Sequence, residues 1–226
     1  MPGKTIVIKE YNPLDYANLT RNCVEELMRQ GPYRLEFNKP FAGAGVYALF
    51  YVGPRPEYRP IKSRDATWPI YVGKAVPPGA RKGGKSGQTS RALYIRLRQH
   101  LESINQTRNL EPHHFRCRFL VVTPLWITMA ERFLIEKFQP AWNVCIEGFG
   151  NHHPGKGRAK TQRSLWDILH PGRDWAEKLL TTRTTKGVKA RLRAYLKTHY
   201  AGAELPPLIA DADRYMEDET GDDSED

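Results

Sequence analysis

The chain has 226 residues and a mass of 26.0 kDa, enough for one large domain or for a core with an appended piece. Its composition is 40% hydrophobic and 27% charged, ordinary for a globular protein, and no apolar run approaches the ~18 residues of a membrane span. It carries 35 Lys+Arg against 25 Asp+Glu, for a net charge of +10. The charge is unevenly spread: residues 211–226 hold nine acidic groups and only Arg214 as a base, so the tail is −8 and residues 1–210 carry +18. A body this basic points to a polyanionic partner, with DNA or RNA foremost. The tail reads as a disordered acidic segment that either aids solubility or competes with nucleic acid for the basic surface. Three widely spaced cysteines (Cys23, Cys117, Cys145), odd in number, indicate a reducing compartment and buried thiols. No signal peptide is expected, because Met1-Pro-Gly-Lys runs straight into the short apolar stretch 5–8.

In chain order, Asn12-Pro13-Leu14-Asp15 looks like a helix start with Asn12 as cap. Leu19, Cys23 and Leu27 continue it at helical spacing until Gly31-Pro32. Residues 46–52 are strand-like, 53–69 form a proline-rich loop, and Ile70-Tyr71-Val72 is a second short strand. Residues 77–90 read as a basic glycine-rich loop. Leu93, Leu97, Leu101 and Ile104 mark a helix. Phe115, Cys117 and Phe119 alternate with Arg116 and Arg118, the pattern of a half-buried strand with a basic face. A further helix starts near Thr123-Pro124, places Ala130, Phe133 and Leu134 inward, and stops near Gln139-Pro140. Residues 148–164 are glycine-rich and basic, short helices follow near 165–169 and 174–180, and a basic helix spans about 188–200 with Leu192, Tyr195 and Leu196 inside. Strand, strand, helix, strand, helix between 45 and 143 predicts an α+β fold with a small, mostly antiparallel sheet.

Several chemistry-bearing residues fall on these elements. Tyr47 and Tyr71 lie on the two strands. Arg96 and His100 are four apart on one helix and share a face. Glu131 sits on a later helix, with Asn143 beyond it. Two phenols, a guanidinium, an imidazole, a carboxylate and an amide suit phosphodiester hydrolysis, which needs a base for water, a counter-charge for the phosphorane and usually a divalent cation on oxygen.

The pattern resembles the GIY-YIG nuclease superfamily over roughly residues 41–146. Gly45-Val46-Tyr47 and Tyr71-Val72-Gly73-Lys74 stand for its two signatures, followed in order by Arg96-x-x-x-His100, Ala130-Glu131-x-x-Leu134-Ile135 and Pro140-Ala-Trp-Asn143. Tyr51-Val52-Gly53 also spells the second signature. It lies only four residues after Tyr47, too close for a partner strand, so Tyr71 is taken and 53–69 reads as an insertion. The leading helix, the stretch 148–158, Arg163-Ser-Leu-Trp166 and His170-Pro-Gly-Arg173 resemble the Type II restriction endonuclease branch that cuts the palindrome CCGCGG.

That resemblance implies Tyr47 as the general base, aided by Lys74, His100 or a metal, since a free phenol has a pKa of about 10. His100 would accept the Tyr47 proton, and Tyr71 would orient water or phosphate. Arg96 would neutralise the phosphoryl oxygens, Glu131 would hold one Mg²⁺ (Mn²⁺ able to substitute), and Asn143 would fix the site by hydrogen bonds. It also implies double-stranded DNA as substrate, a homodimer matching a palindromic site, a bacterial cell interior as the setting, and neither a membrane nor a small-molecule cofactor.

Arg81, Lys82, Lys85, Lys156, Arg158, Lys160 and Arg163, in the two basic loops, are candidate DNA-binding residues, clamping phosphates or donating to guanine edges. The basic helix 188–200 either clamps the DNA backbone or covers the core. His113-His114-x-x-Cys117, and Cys145 with His152-His153, lack a Cys-x₂-Cys knuckle, and buried thiols are expected instead of zinc. The expected organisation is an N-terminal helical arm (1–40), a catalytic core (41–146), a basic loop with C-terminal helices (147–210) and the acidic tail (211–226). Rival readings are a structure- or damage-specific nuclease of repair or recombination, and a non-cleaving DNA-binding protein on the same fold.

Overall fold

A computed structural model describes residues 12–63, 65–77, 79, 89–151 and 162–200. The apolar stretch 5–8, His152, His153 and the acidic tail lie outside the described residues, as do Arg81, Lys82, Lys85, Lys156, Arg158 and Lys160. The fold is α+β, as the order of elements predicts. Four antiparallel strands, β1 (Tyr33–Arg34), β2 (Gly45–Tyr51), β3 (Pro69–Ala75) and β4 (Phe115–Val121), form a sheet in the order β1-β4-β2-β3.

β2 is the strand around which the rest assembles. All seven of its residues are buried, because both faces of the sheet are covered. Tyr47, Leu49 and Tyr51 alternate onto one face. There they join Leu93 and Leu97 of α2 (Ala92–Asn105) and a large cluster that includes Trp142 and Trp166. Val46, Ala48 and Phe50 take the other face, under Val24 and Leu27 of α1 (Tyr16–Arg29) and Ile127, Ala130 and Leu134 of α3 (Ile127–Phe138). The carboxylate of Asp15 caps α1, accepting from Ala17 N, while Asn12 sits outside the helix and accepts from Leu14 N. The expected cap at Asn12 is therefore displaced by three residues; both side chains make the short loop-to-backbone bonds that Asx residues favour.

Two further sequence expectations change in three dimensions. The proline-rich stretch after β2 is not only a loop: Pro56–Ile61 form a 3₁₀ helix with Tyr58 and Ile61 buried. The Tyr58 hydroxyl meets His170 Nε2 and accepts from Trp142 Nε1, which ties this insertion to the C-terminal part of the chain. The expected N-terminal arm and C-terminal helices pack on the rest of the described residues, which is the core-covering alternative for the basic helix. β1 forms the sheet edge against β4 and α1 packs on α3. α4 (Ala141–Val144), α5 (Leu165–Leu169), α6 (Asp174–Glu177) and α7 (Thr185–Tyr200) follow β4 and α3, and Trp166, Ile168, Val188, Leu192 and Leu196 lie in the main core. α7 thus covers the core with its apolar side.

The second change concerns β4, whose alternation suggested a solvent-facing basic side. Arg118 is instead 5% exposed, because α1 closes over that face. Its guanidinium donates to the carbonyls of Met28 (2.7 Å), Gln30 (3.0 Å), Asp65 (2.9 Å) and Ala66 (3.4 Å). A planar fork of five donors can satisfy such a set where a lysine cannot. Arg118→Ala would leave these acceptors without a donor and is expected to destabilise the protein by about 3 kcal/mol or more. Thermal unfolding should then shift down by roughly 6–12 °C for a chain of this size; a shift within ~1 °C would show that water replaces the guanidinium at no cost.

Candidate active site

The register of β2 and β3 creates the site. Tyr47 pairs with Gly73 and Leu49 with Tyr71, so both phenols project from the same face of adjacent strands. Their ring centroids are 6.3 Å apart. Tyr51, by contrast, continues β2 itself and packs against Tyr58 and Phe115. A side chain at Gly73 would collide with the Tyr47 hydroxyl and the Tyr71 ring, so the second signature needs glycine here for close approach.

α2 supplies the opposing groups. The Tyr47 hydroxyl lies 2.6 Å from His100 Nε2, and both residues are buried. Arg96, one turn earlier and half-buried, donates to Gln99 Oε1 at 3.0 Å and to the Gly150 carbonyl at 3.3 Å. It also bears on both phenols by charge and hydrogen bonding. Burial pushes the Tyr47 phenol well above its ordinary pKa. Tyr71 and Glu131 add to that rise and Arg96 opposes it. Tyr71 is raised as well, again by burial first, with Arg96 opposing and Glu131 adding. Both phenols are therefore neutral near pH 7.

Lys74 does not serve Tyr47 directly. It pairs with Val46 in the register, so it leaves the other side of β3, toward α3, and its Nζ lies 2.7 Å from Glu131 Oε2. The cation acting on Tyr47 is Arg96. Glu131 is half-buried, near enough to influence both phenols, and stands outside any cluster of three metal-ligating groups among the described residues. A partly exposed carboxylate is an oxygen donor of the kind a hard divalent cation takes. Asn143, on α4, accepts from Val72 N and donates to Val72 O, both at 2.8 Å. It completes the outer edge of β3 as a further strand would, and so holds Tyr71 and Gly73 on either side of Val72 in register.

Two further residues reach the site. Phe149 stacks on the His100 ring, with centroids 4.5 Å apart and planes at 17°, and its centroid is 5.0 Å from Tyr71. Gly150 approaches Tyr71 and Arg96 so closely that a Cβ there would sit 2.9 Å from the Tyr71 hydroxyl oxygen and 3.2 Å from Arg96 Nη2. The sequence placed both in a loop-like stretch that carries the family resemblance, but gave neither a role. Arg163 donates to the Ala176 and Glu177 carbonyls at the end of α6, so its fork is engaged by backbone. Cys117 is buried with its thiol toward the Arg34 carbonyl, and burial pushes its pKa up to about 12. His113 and His114 instead group with Glu111 at the opposite end of β2 from Tyr47.

Among the described residues, no helix is long and apolar enough to cross a membrane. No curated protein gives a significant match to the chain. Residues 39–196, most of the chain and all the elements from β2 into α7, match the family described as the Eco29kI GIY-YIG domain. The paired signature strands, the tyrosine–histidine contact and this match together place the chain in the Eco29kI GIY-YIG family of restriction nucleases, which act on DNA.

Proposed function

We propose that the protein is a Type II restriction endonuclease that hydrolyses both strands of double-stranded DNA at palindromic CCGCGG, with Tyr47 as general base and one Mg²⁺ at Glu131. The observation carrying this reading is the 2.6 Å contact between the Tyr47 hydroxyl and His100 Nε2 beside Arg96 and Tyr71. A neutral buried phenol is a poor base unless its proton has somewhere to go. His100 supplies that acceptor: as Tyr47 Oη takes a proton from the attacking water, its own proton passes to Nε2. Phosphate binding brings negative charge to Arg96, whose fork neutralises the developing phosphorane. Tyr71 orients the water or a phosphoryl oxygen. Mg²⁺, when bound, supplies Lewis-acid stabilisation of the phosphoryl and leaving oxygens, and Glu131 is the residue that would hold it. Tyr47 has no solvent exposure, so this mechanism requires DNA binding to move Arg96 or Tyr71 off its hydroxyl. Catalytic contacts often tighten only in the substrate complex.

A palindromic target cut on both strands calls for two copies related by a two-fold axis. The enzyme in this reading works in the interior of a bacterial cell, as the nuclease half of a restriction–modification pair. Digestion of two plasmids, with and without CCGCGG, in Mg²⁺ and in EDTA, tests it. Metal-dependent fragments from the first plasmid alone are expected. Fragments from both would keep the nuclease and discard that site. Cleavage only at branches or lesions would favour a repair enzyme, and binding with no cutting in any metal would favour a non-cleaving protein.

A further inference from the structure

Arg173 is among the largest side chains in the protein that are fully buried, at 1% exposure, and nothing in the cleavage chemistry uses it. Its guanidinium packs against two indoles, 4.5 Å from the Trp166 centroid and 4.8 Å from that of Trp175. Nε donates to Asp167 Oδ1 at 2.6 Å, and Asp167 in turn accepts from the Ser164 hydroxyl at 2.6 Å. The remaining donors converge on one short segment: Nη1 reaches the carbonyls of Phe149 (3.2 Å) and Asn151 (3.0 Å), and Nη2 that of Gly148 (2.9 Å). This same segment touches the active site. Phe149 stacks on His100, and the Gly150 carbonyl, which alone of the four is left by Arg173, accepts from Arg96.

We infer that Arg173 is a positioning residue for catalysis, holding residues 148–151 as a strap that sets the ring of His100 through Phe149 and the fork of Arg96 through the Gly150 carbonyl. The chemistry of the fork fits the task. Three carbonyls of four successive residues fix the segment against translation, while Asp167 balances a charge that burial would otherwise make costly. An apolar residue of similar size would fill the space beside the indoles but would hold no carbonyl. Gly150 completes the device, because any side chain there would press on Tyr71 and Arg96 together. The catalytic consequence rests on the nuclease reading; the placement of His100 does not.

Two variants test the strap, Arg173→Lys, which keeps the positive charge beside Asp167 but loses the fork, and Gly150→Ala, which leaves Arg173 intact. Each is assayed on CCGCGG-containing DNA for kcat and KM, and by NMR for the His100 ring resonances, which the stacked Phe149 ring displaces. A folded variant is expected to lose about 10- to 10²-fold in kcat, as a misplacement near 1 Å would cause, with KM changed less than about threefold. The His100 resonances are expected to move. Gly150→Ala carries the test where Arg173→Lys does not fold. Unmoved His100 resonances, native kcat, or a loss confined to KM would each overturn the inference. Where the unmodified protein cuts no DNA, the nuclease reading fails, and the His100 resonances alone decide whether the strap sets that ring.

Discussion

Tyr47→Phe is expected to lower the rate of DNA cleavage by at least about 10²-fold while leaving the fold in place. The substitution removes one oxygen. The ring stays between β3 and α2, where Tyr47 is buried, and Gly73 still leaves it room. What is lost is the hydroxyl 2.6 Å from His100 Nε2, together with its contact to Arg96. The stability cost should be about 1 kcal/mol, from one buried hydrogen bond, and should lower the melting temperature by roughly 2–4 °C. A fall in rate much larger than the fall in stability is therefore the signature of the oxygen's chemical role. Single-turnover cleavage on one oligonucleotide duplex, with unfolding followed in parallel, checks it. A loss of only threefold in rate would remove Tyr47 as the base and would move attention to His100 acting on water directly.

Why so much of this site was legible in the sequence, and the rest was not, follows from where its geometry is stored. The two signatures could be placed on neighbouring strands because a strand repeats every two residues: Tyr47 opposite Gly73 and Tyr71 opposite Leu49 are consequences of one register. Arg96 and His100 share a helix face for the same kind of local reason. Lys74 shows the limit of that logic. It adjoins the signature, yet alternation sends it to the far side of β3, where Glu131 meets it. Arg118 shows another limit. The alternation on β4 correctly gave a strand, but nothing local says that α1 will cover its second face and turn a surface arginine into a buried hub. The roles of Tyr58, His170, Phe149 and Arg173 were beyond reach for a third reason. Each has a partner well removed along the chain, from 24 residues between Phe149 and Arg173 to 112 between Tyr58 and His170, across segments whose proline and glycine content reads as loop. Burial by distant segments leaves no period in the sequence, so such residues emerge only from tertiary packing.

Glu131→Ala should abolish cleavage and preserve binding to the specific site. Loss of several kcal/mol of transition-state stabilisation corresponds to a rate lower by about 10³-fold or more. Binding should hold because the substitution takes a negative charge away from the place where phosphate arrives, and because Lys74, freed from its 2.7 Å partner, remains as a cation there. The fold should tolerate the change, since Glu131 is half-exposed and its helix is anchored by Ile127, Ala130, Leu134 and Phe138 on the buried side. Glu131→Gln separates charge from shape. It keeps the length and an oxygen that can still accept from Lys74, but it no longer offers a carboxylate to a divalent cation. Gel-shift affinity measured in EDTA, beside cleavage across a range of Mg²⁺ concentrations, distinguishes the cases. If the glutamine variant cuts near the native rate, Glu131 serves to hold Lys74 and no metal is bound there. If it matches the alanine variant in rate and in affinity, the carboxylate charge is what the reaction requires.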